Sequence, residues 1–339
     1  MRMNRLVYIA GGNYGKRGGD CEEGLYKKIA DFVIHSFKKI YNPLVVKKIS
    51  ASSALEIWVV TPSFPVLKGD KGYPGIVKKI LRWLDENDMD VVASGGFVSP
   101  EILKKEGFRI ISGEMLFTAL VPAVLRKISK ACEKSPGELE IALIAGDNVY
   151  LALASLELIA GMCRFVSVIT QEKDKTEKVL DSICDEYGLS VRLTSDVKSG
   201  IRGVNIIIDF RKANDVCADP LVKPGAVVIK VCGDSEDKRM HSDSVTITSV
   251  DVKLNDSSLE KHCGEFHIRK ILIAEMELFT EYGLIDIMGG ENIGVEALKK
   301  LGDAFRGKNY KMGHFIGIHG LVSHEEIRKR IREVKYYIF

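Results

Sequence analysis

Between residues 140 and 249, short apolar runs alternate with helix-length stretches. That alternation limits the fold more than any other feature of the chain. Residues 140–145 form an apolar run that ends at Gly146, and residues 148–160 read as a helix. Residues 165–170 make the next strand, followed by an amphipathic helix over 172–187 that Gly188 stops. Residues 190–193, 204–209 and 226–231 are three more strand-like runs, and 245–249 is a last one. The first strands are apolar almost throughout, so both of their faces must be covered. Strands of this kind, alternating with helices, specify a parallel, doubly wound α/β sheet.

Such a sheet is of the Rossmann type, and it occupies only part of the chain. A length of 339 residues suggests two domains and a core that needs no covalent staples. The N-terminal part is also α/β, with strands at 6–10, 56–60 and 90–93 and helices at 75–84 and 113–132. The second helix is long enough to connect two domains, and residues 134–138 form the clearest hinge-type loop. Helices return at 266–282 and 294–306. The expected division is residues 1–133 (N-terminal α/β domain with connecting helix), 134–258 (Rossmann-type domain) and 259–339 (C-terminal helices).

Charge and cysteine usage narrow the function classes. Net charge is +3 with no Lys/Arg block, so no nucleic-acid partner is expected. The apolar run at 6–10 is too short for a signal core or a membrane span, and no later segment is apolar for long enough either. Seven cysteines, an odd number with no C-x-x-C, fit free thiols in a reducing cytoplasm rather than disulfides or zinc ligands. A cytoplasmic protein without a metal site is expected, and self-association stays open.

Several local strings then stand out. Residues 80–100 hold a helix, a strand and the string from Ser94 through Gly95, Gly96 and Phe97 to Ser99. Ile111, Ser112, Gly113 and Glu114 lead into the long helix, and Ala274-Glu275 lies in a later one, ahead of a glycine-rich stretch at 289–302. In these strings and in the order of its parts, the chain resembles the long-chain fatty acyl–acyl carrier protein reductases from about Phe64 to Tyr310. It resembles the shikimate dehydrogenases more distantly. The reductase resemblance implies NADPH, a fatty acyl thioester, an acyl carrier protein partner and a covalent acyl-cysteine intermediate. A substrate cleft would then lie against Gly95, Gly96, Phe97, Ser112, Gly113 and Glu275. The family's nucleophilic cysteine falls on Leu272, which has no nucleophilic atom, and its glycine-rich turn falls on residues 145–151, where Gly146 alone remains.

The candidate site residues follow from chemistry. Gly146, Asp147 and Asn148 occupy the dinucleotide turn. Asp147 would place a like charge near the phosphates and Tyr150 a bulky ring, while Asn148 suits a helix cap. Thr170 and Gln171 stand where an acid would read the ribose, with Lys173 beside them. The turn therefore predicts weak dinucleotide binding or none, with NADP(H) preferred. The loop at 11–19 carries Lys16 and Arg17 among glycines. Ala10 and Arg17 replace the residues a Walker motif needs, so it reads as a surface loop or an anion site. Lys68 follows a proline-containing turn, as the proton-transfer lysine of shikimate dehydrogenases does, or is a solvated lysine. Cys263 lies between His262 and His267 just before a helix, where its thiol pKa would fall, or it is an ordinary cysteine of a polar loop. His314, His319 and His324 read as surface or interface residues. Two functions stay open: an NAD(P)-dependent reductase of the acyl-thioester or shikimate type, and a non-catalytic binding or partner subunit on the same fold.

Overall fold

The computed structural model describes residues 4–10, 44–50, 55–62, 71–95, 97–212, 222–232, 244–265, 268–284, 293–318 and 320–333. The chain divides into two compact units. The first is Met1–Ser112 with Asp256–Leu272, and the second is Gly113–Asn255 with Ile273–Phe339.

The first unit is built on strands β1 (Asn4–Ala10), β2 (Leu44–Ser50), β3 (Leu55–Pro62), β4 (Val91–Gly95) and β5 (Arg109–Ile111), in the order β2-β3-β1-β4-β5. β1 runs parallel to β3 and β4, and only β2 is antiparallel to its neighbour. Helix α1 (Tyr73–Glu86) starts with a proline in its first turn and buries Ile76, Val77, Ile80 and Leu84, which share one face at helical spacing. That face joins Val7, Ile9, Val60 and Val92 in the core. Ser99 caps α2 (Pro100–Lys105) by accepting from the Ile102 amide. Helix α7 (Ser257–Glu265) comes from far along the chain and belongs to this unit.

The second unit holds the sheet expected from the alternation. Its strands are β6 (Ile141–Ile144), β7 (Phe165–Ile169), β8 (Ser190–Thr194), β9 (Ile206–Asp209), β10 (Val227–Lys230) and β11 (Val245–Ile247). All are parallel, in the order β11-β10-β9-β6-β7-β8. In chain order from the β8 edge this is 3-2-1-4-5-6, the Rossmann arrangement. The connecting helices are α4 (Val149–Ala160), α5 (Lys173–Tyr187) and the short α6 (Val197–Ile201). Gly188 ends α5 in a left-handed conformation at φ 65°, which glycine adopts without the steric cost a Cβ would bring. Helix α3 (Glu114–Cys132) is buried along most of its length, and α8 (Lys270–Tyr282) and α9 (Val295–Gly307) complete the helical part.

Three local readings change. Residues 245–249 split at Thr248, whose amide donates to the Ile316 carbonyl. β11 closes the parallel sheet, while β12 (Ser249–Lys253) opens a small antiparallel sheet with β13 (Lys311–Gly317) and β14 (Gly320–Val322). The helix expected from 266 begins at Lys270. Cys263 sits inside α7 and is buried, not in a polar loop. The last helix of the chain is α10 (His324–Glu333). No helix among the described residues is long and apolar enough to cross a membrane.

Candidate active site

The carboxyl edge of the six-stranded sheet gathers the expected turn residues. β6 is fully buried and ends at Ile144. The Ala145 amide still donates to the Ile169 carbonyl at 2.9 Å, so the sheet extends one residue before the chain turns. Asn148 caps α4, its Oδ1 accepting from the Leu151 amide at 3.0 Å. Asp147 and the Tyr150 ring are exposed. After β7, buried Thr170 accepts from the Glu172 amide at 3.1 Å, and Gln171 donates to the Ser195 carbonyl at 3.2 Å. Lys173 opens α5 and is exposed, while Glu172 is paired with Lys175 at 2.7 Å. Gly146, Asp147, Asn148, Thr170, Gln171 and Lys173 thus all stand where β6 and β7 end, the edge at which ligands bind in sheets of this topology.

Gly146 is glycine for a reason the sequence does not display. The Phe210 amide donates to the Ile144 carbonyl at 2.9 Å, which draws the segment after β9 over the turn. A Cβ on Gly146 would lie 2.2 Å from the Phe210 carbonyl oxygen. The close approach is therefore backbone to backbone inside the unit.

The same edge carries a group of charges that sequence reasoning missed. Asp209 ends β9 and Lys230 ends β10, and the two are register partners on adjacent parallel strands. The Asp209 side chain is 0% exposed, that of Lys230 8% and that of Arg211 20%. Arg211 folds back on Asp209: its amide and Nε donate to Oδ1 at 3.0 and 2.9 Å, and Nη2 donates to Oδ2 at 3.0 Å. Lys230 Nζ stands 3.9 Å from Oδ2, an ion pair without a hydrogen bond. Two residues past Lys230, buried Cys232 lies against the Glu114 carboxylate. Burial pushes its thiol pKa up, the Glu114 charge and hydrogen bond push it further, and Lys212 opposes them. A thiolate nucleophile is not favoured there. The available signal was a charged residue closing each of two otherwise apolar central strands.

The expected cleft residues have other occupations within their own units. Glu275 is 2% exposed, and its carboxylate accepts from the Gly113 amide at 2.7 Å and the Leu116 amide at 2.8 Å. It thereby caps the N-terminus of α3, where amides lack helical partners and the dipole favours an anion. Gly113 precedes α3 at φ 82°, and the Ser112 carbonyl accepts from Arg269 at 3.4 Å. Phe97 is buried in the first unit's core, edge-on to Tyr73, whose hydroxyl donates to the Phe97 carbonyl. Gly95 ends β4, in register with Ala10 on β1.

Near Cys263, His262 Nδ1 pairs with Glu265 at 3.2 Å, and Glu265 also binds Lys47 at 3.0 Å. Tyr8 lies close by. Burial raises its pKa, Arg269 lowers it and Cys263 raises it again. Leu272 is fully buried. Gly96, Lys68, His267, His319 and the loop at 11–19 lie outside the described residues. Among the described residues no group of three or more His, Cys, Asp or Glu side chains is placed to hold a metal ion.

Comparison with known proteins places this edge in a family context. The model of the ornithine cyclodeaminase/mu-crystallin family matches residues 138–301. This overturns the resemblance to the fatty acyl–acyl carrier protein reductases, and the acyl-thioester relation loses its support with it. No curated protein matches the sequence. Solved structures similar to this chain include the Δ1-pyrroline-2-carboxylate reductase of Thermococcus litoralis in complex with NADH and L-proline. It has 14% identity and a TM-score of 0.25, and the match covers 39% of this chain and 36% of that one. This chain therefore spans about a third of that enzyme's length. The L-tryptophan dehydrogenase of Nostoc punctiforme has 10% identity and a TM-score of 0.29, over 98% of this chain and 90% of that one. The shikimate 5-dehydrogenase of Listeria monocytogenes has 10% identity and a TM-score of 0.29, over 88% and 96%. The Rossmann fold itself is read from the strand order of the second unit.

Proposed function

We propose that this chain is a nicotinamide-dependent enzyme that acts on a small amino acid or the corresponding imino acid. The observation that carries the reading is the match of residues 138–301 to the ornithine cyclodeaminase/mu-crystallin family, on a unit whose strand order is that of dinucleotide-binding sheets. The family's name supports an amino acid as the substrate class. The strand order supports the carboxyl edge around Gly146 as its place.

The residues at that edge fit a dinucleotide in part. Helix α4 starts just past the carboxyl end of β6, where a pyrophosphate binds in such sheets, and Asn148 fixes the helix start. No acid occupies positions 170 and 171, Glu172 is paired with Lys175, and Lys173 is exposed at the first position of α5. These features support NADP(H) over NAD(H), since a 2′-phosphate wants a cation and a 2′-hydroxyl an acceptor. When bound, the nicotinamide supplies hydride transfer. The protein's part is to hold the cofactor against Asn148 and Lys173 and the substrate near the carboxyl ends of β9 and β10.

Two measurements test this reading. Fluorescence titration with NADPH and NADH should show binding of NADPH, and Lys173→Glu should weaken NADPH by several-fold while leaving NADH nearly unchanged. Incubation with NADP⁺ and a panel of amino acids should produce reduced nicotinamide absorbance with at least one of them. Failure to bind either nucleotide at millimolar concentration would remove the enzyme reading. A second reading, a binding subunit without a dinucleotide, draws on Gly146: the turn's one glycine is taken up by the Phe210 backbone.

A further inference from the structure

We propose that Lys230, together with Arg211, forms a binding site for an oxyanion, a carboxylate or a phosphate, at the carboxyl ends of β9 and β10. The proposal deepens the functional reading and rests on it for the location of the ligand, but it can be tested apart from it.

The argument starts from charge. Among the described residues, three cations (Arg211, Lys212, Lys230) and two carboxylates (Glu114, Asp209) lie around this edge. Glu114 and Lys212 act on Cys232 with opposite signs. Two of the cations, Arg211 and Lys230, are paired with the single carboxylate of Asp209. Arg211 takes both of its oxygens in a two-pronged contact reinforced by the Arg211 amide. Such an arrangement is the strong, planar mode of Arg–carboxylate pairing, and it neutralises Asp209 locally.

Lys230 is then the surplus cation. Among the described residues, its ammonium has no hydrogen-bond partner and its nearest anionic atom is 3.9 Å away. A cation held mostly away from water gains from any acceptor that reaches it. The Lys230 side chain is 8% exposed and its ammonium is not sealed from solvent, so an anion arriving from solvent can reach its three donors. Arg211 has committed Nε and Nη2 to Asp209, which leaves Nη1 for a second acceptor. A spherical cation and a planar donor side by side suit an oxygen pair such as that of a carboxylate or phosphate. Asp209 is the positioning residue that holds both.

Strand geometry explains why the site is rigid. Lys230 and Asp209 are register partners, so their side chains leave the sheet on the same face, and both strands are buried. The sheet thus fixes Lys230 and Asp209, and Asp209 in turn holds Arg211, which lies just past the end of β9.

The test uses the full chain, with inorganic pyrophosphate and oxalate as probes in calorimetric titration at constant ionic strength. The proteins are wild type, Lys230→Met and Lys230→Arg. Wild type should bind at least one probe. Lys230→Met should weaken it by about tenfold or more, the size of one charge-assisted hydrogen bond, and Lys230→Arg should recover most of the loss. Preference for pyrophosphate would identify the ligand group as a phosphate of the cofactor, and preference for oxalate a substrate carboxylate. Asp209 stays paired with Arg211 in Lys230→Met, so the fold should persist. If it does not, Lys230→Gln gives the same comparison with a neutral hydrogen-bonding side chain. The proposal is overturned if wild type binds neither probe, or if the neutral variant binds as tightly as wild type. NADPH titration of the same proteins separates the two ideas. Anion binding that depends on Lys230 without any NADPH binding would keep this site and remove the enzyme reading. NADPH binding without a Lys230 effect on either probe would do the reverse.

Discussion

The second unit holds two buried carboxylates that resemble each other in exposure and differ in what satisfies them. Glu275 is held by two backbone amides at the start of α3, Asp209 by the side chains of Arg211 and Lys230 at the sheet's carboxyl edge. Backbone amides at a helix start are fixed by the helix, so the contacts to Glu275 have one arrangement. Side-chain cations that outnumber their carboxylate leave donors to spare. A buried charge is thus a candidate site when the cations around it outnumber it, and a structural cap when backbone amides alone satisfy it.

The largest effect should come from breaking the side-chain cluster. Asp209→Ala leaves two neighbouring cations without their carboxylate, and we expect a loss of about 3–5 kcal/mol in urea unfolding. A loss under about 1 kcal/mol would mean that the cluster is solvated and not a buried unit. Gly146→Ala comes next. Its Cβ would sit 2.2 Å from a backbone carbonyl oxygen, which cannot rotate away, so about 1–3 kcal/mol should be lost through displacement of the segment after β9. An unchanged unfolding midpoint would contradict the close approach.

Glu275→Gln keeps one acceptor oxygen but loses the charge and one amide contact, for an expected cost of about 1–2 kcal/mol. This variant also sharpens the comparison. Stabilisation by pyrophosphate or oxalate in thermal unfolding should match that of wild type, because Glu275 is no part of the anion site. Loss of the response in Glu275→Gln would join the two regions that the geometry separates. The smallest stability effect belongs to Lys173→Glu, an exposed position where we expect less than about 0.5 kcal/mol and a change confined to NADPH affinity.

The fold was legible where the pattern was long and repeated. Five of the strands of the parallel sheet and their two long helices lie within a few residues of their sequence-read bounds, because an apolar run of four to six residues ending in a turn has few alternatives between two helices. The turn residues from Gly146 to Lys173 were legible for the same reason, as positions immediately after strands. The division of residues 245–249 between two sheets was not, since one apolar run serves either. The family reading failed against the match of residues 138–301 to another family. Ser112, Gly113 and Glu275 looked like a cleft signature, and the structure occupies all three in hydrogen bonds within their own units. A polar residue in a short string carries no mark of whether it faces a ligand or a helix end.

Sequence by itself determined the alternation, and with it the parallel sheet and the edge where a ligand would bind, because period and turn chemistry are local properties. It also determined that Thr170 and Gln171 supply no acid and that Leu272 supplies no nucleophile. Only the tertiary structure decided that α7 belongs with the first unit and that Gly146 is filled by Phe210. It likewise set Asp209, Arg211 and Lys230 into one cluster. Asp209 and Lys230 are separated by a long stretch of chain and meet only because β9 and β10 pair in register. Which strands become neighbours is fixed by burial across the whole sheet, and no window of the sequence contains that information.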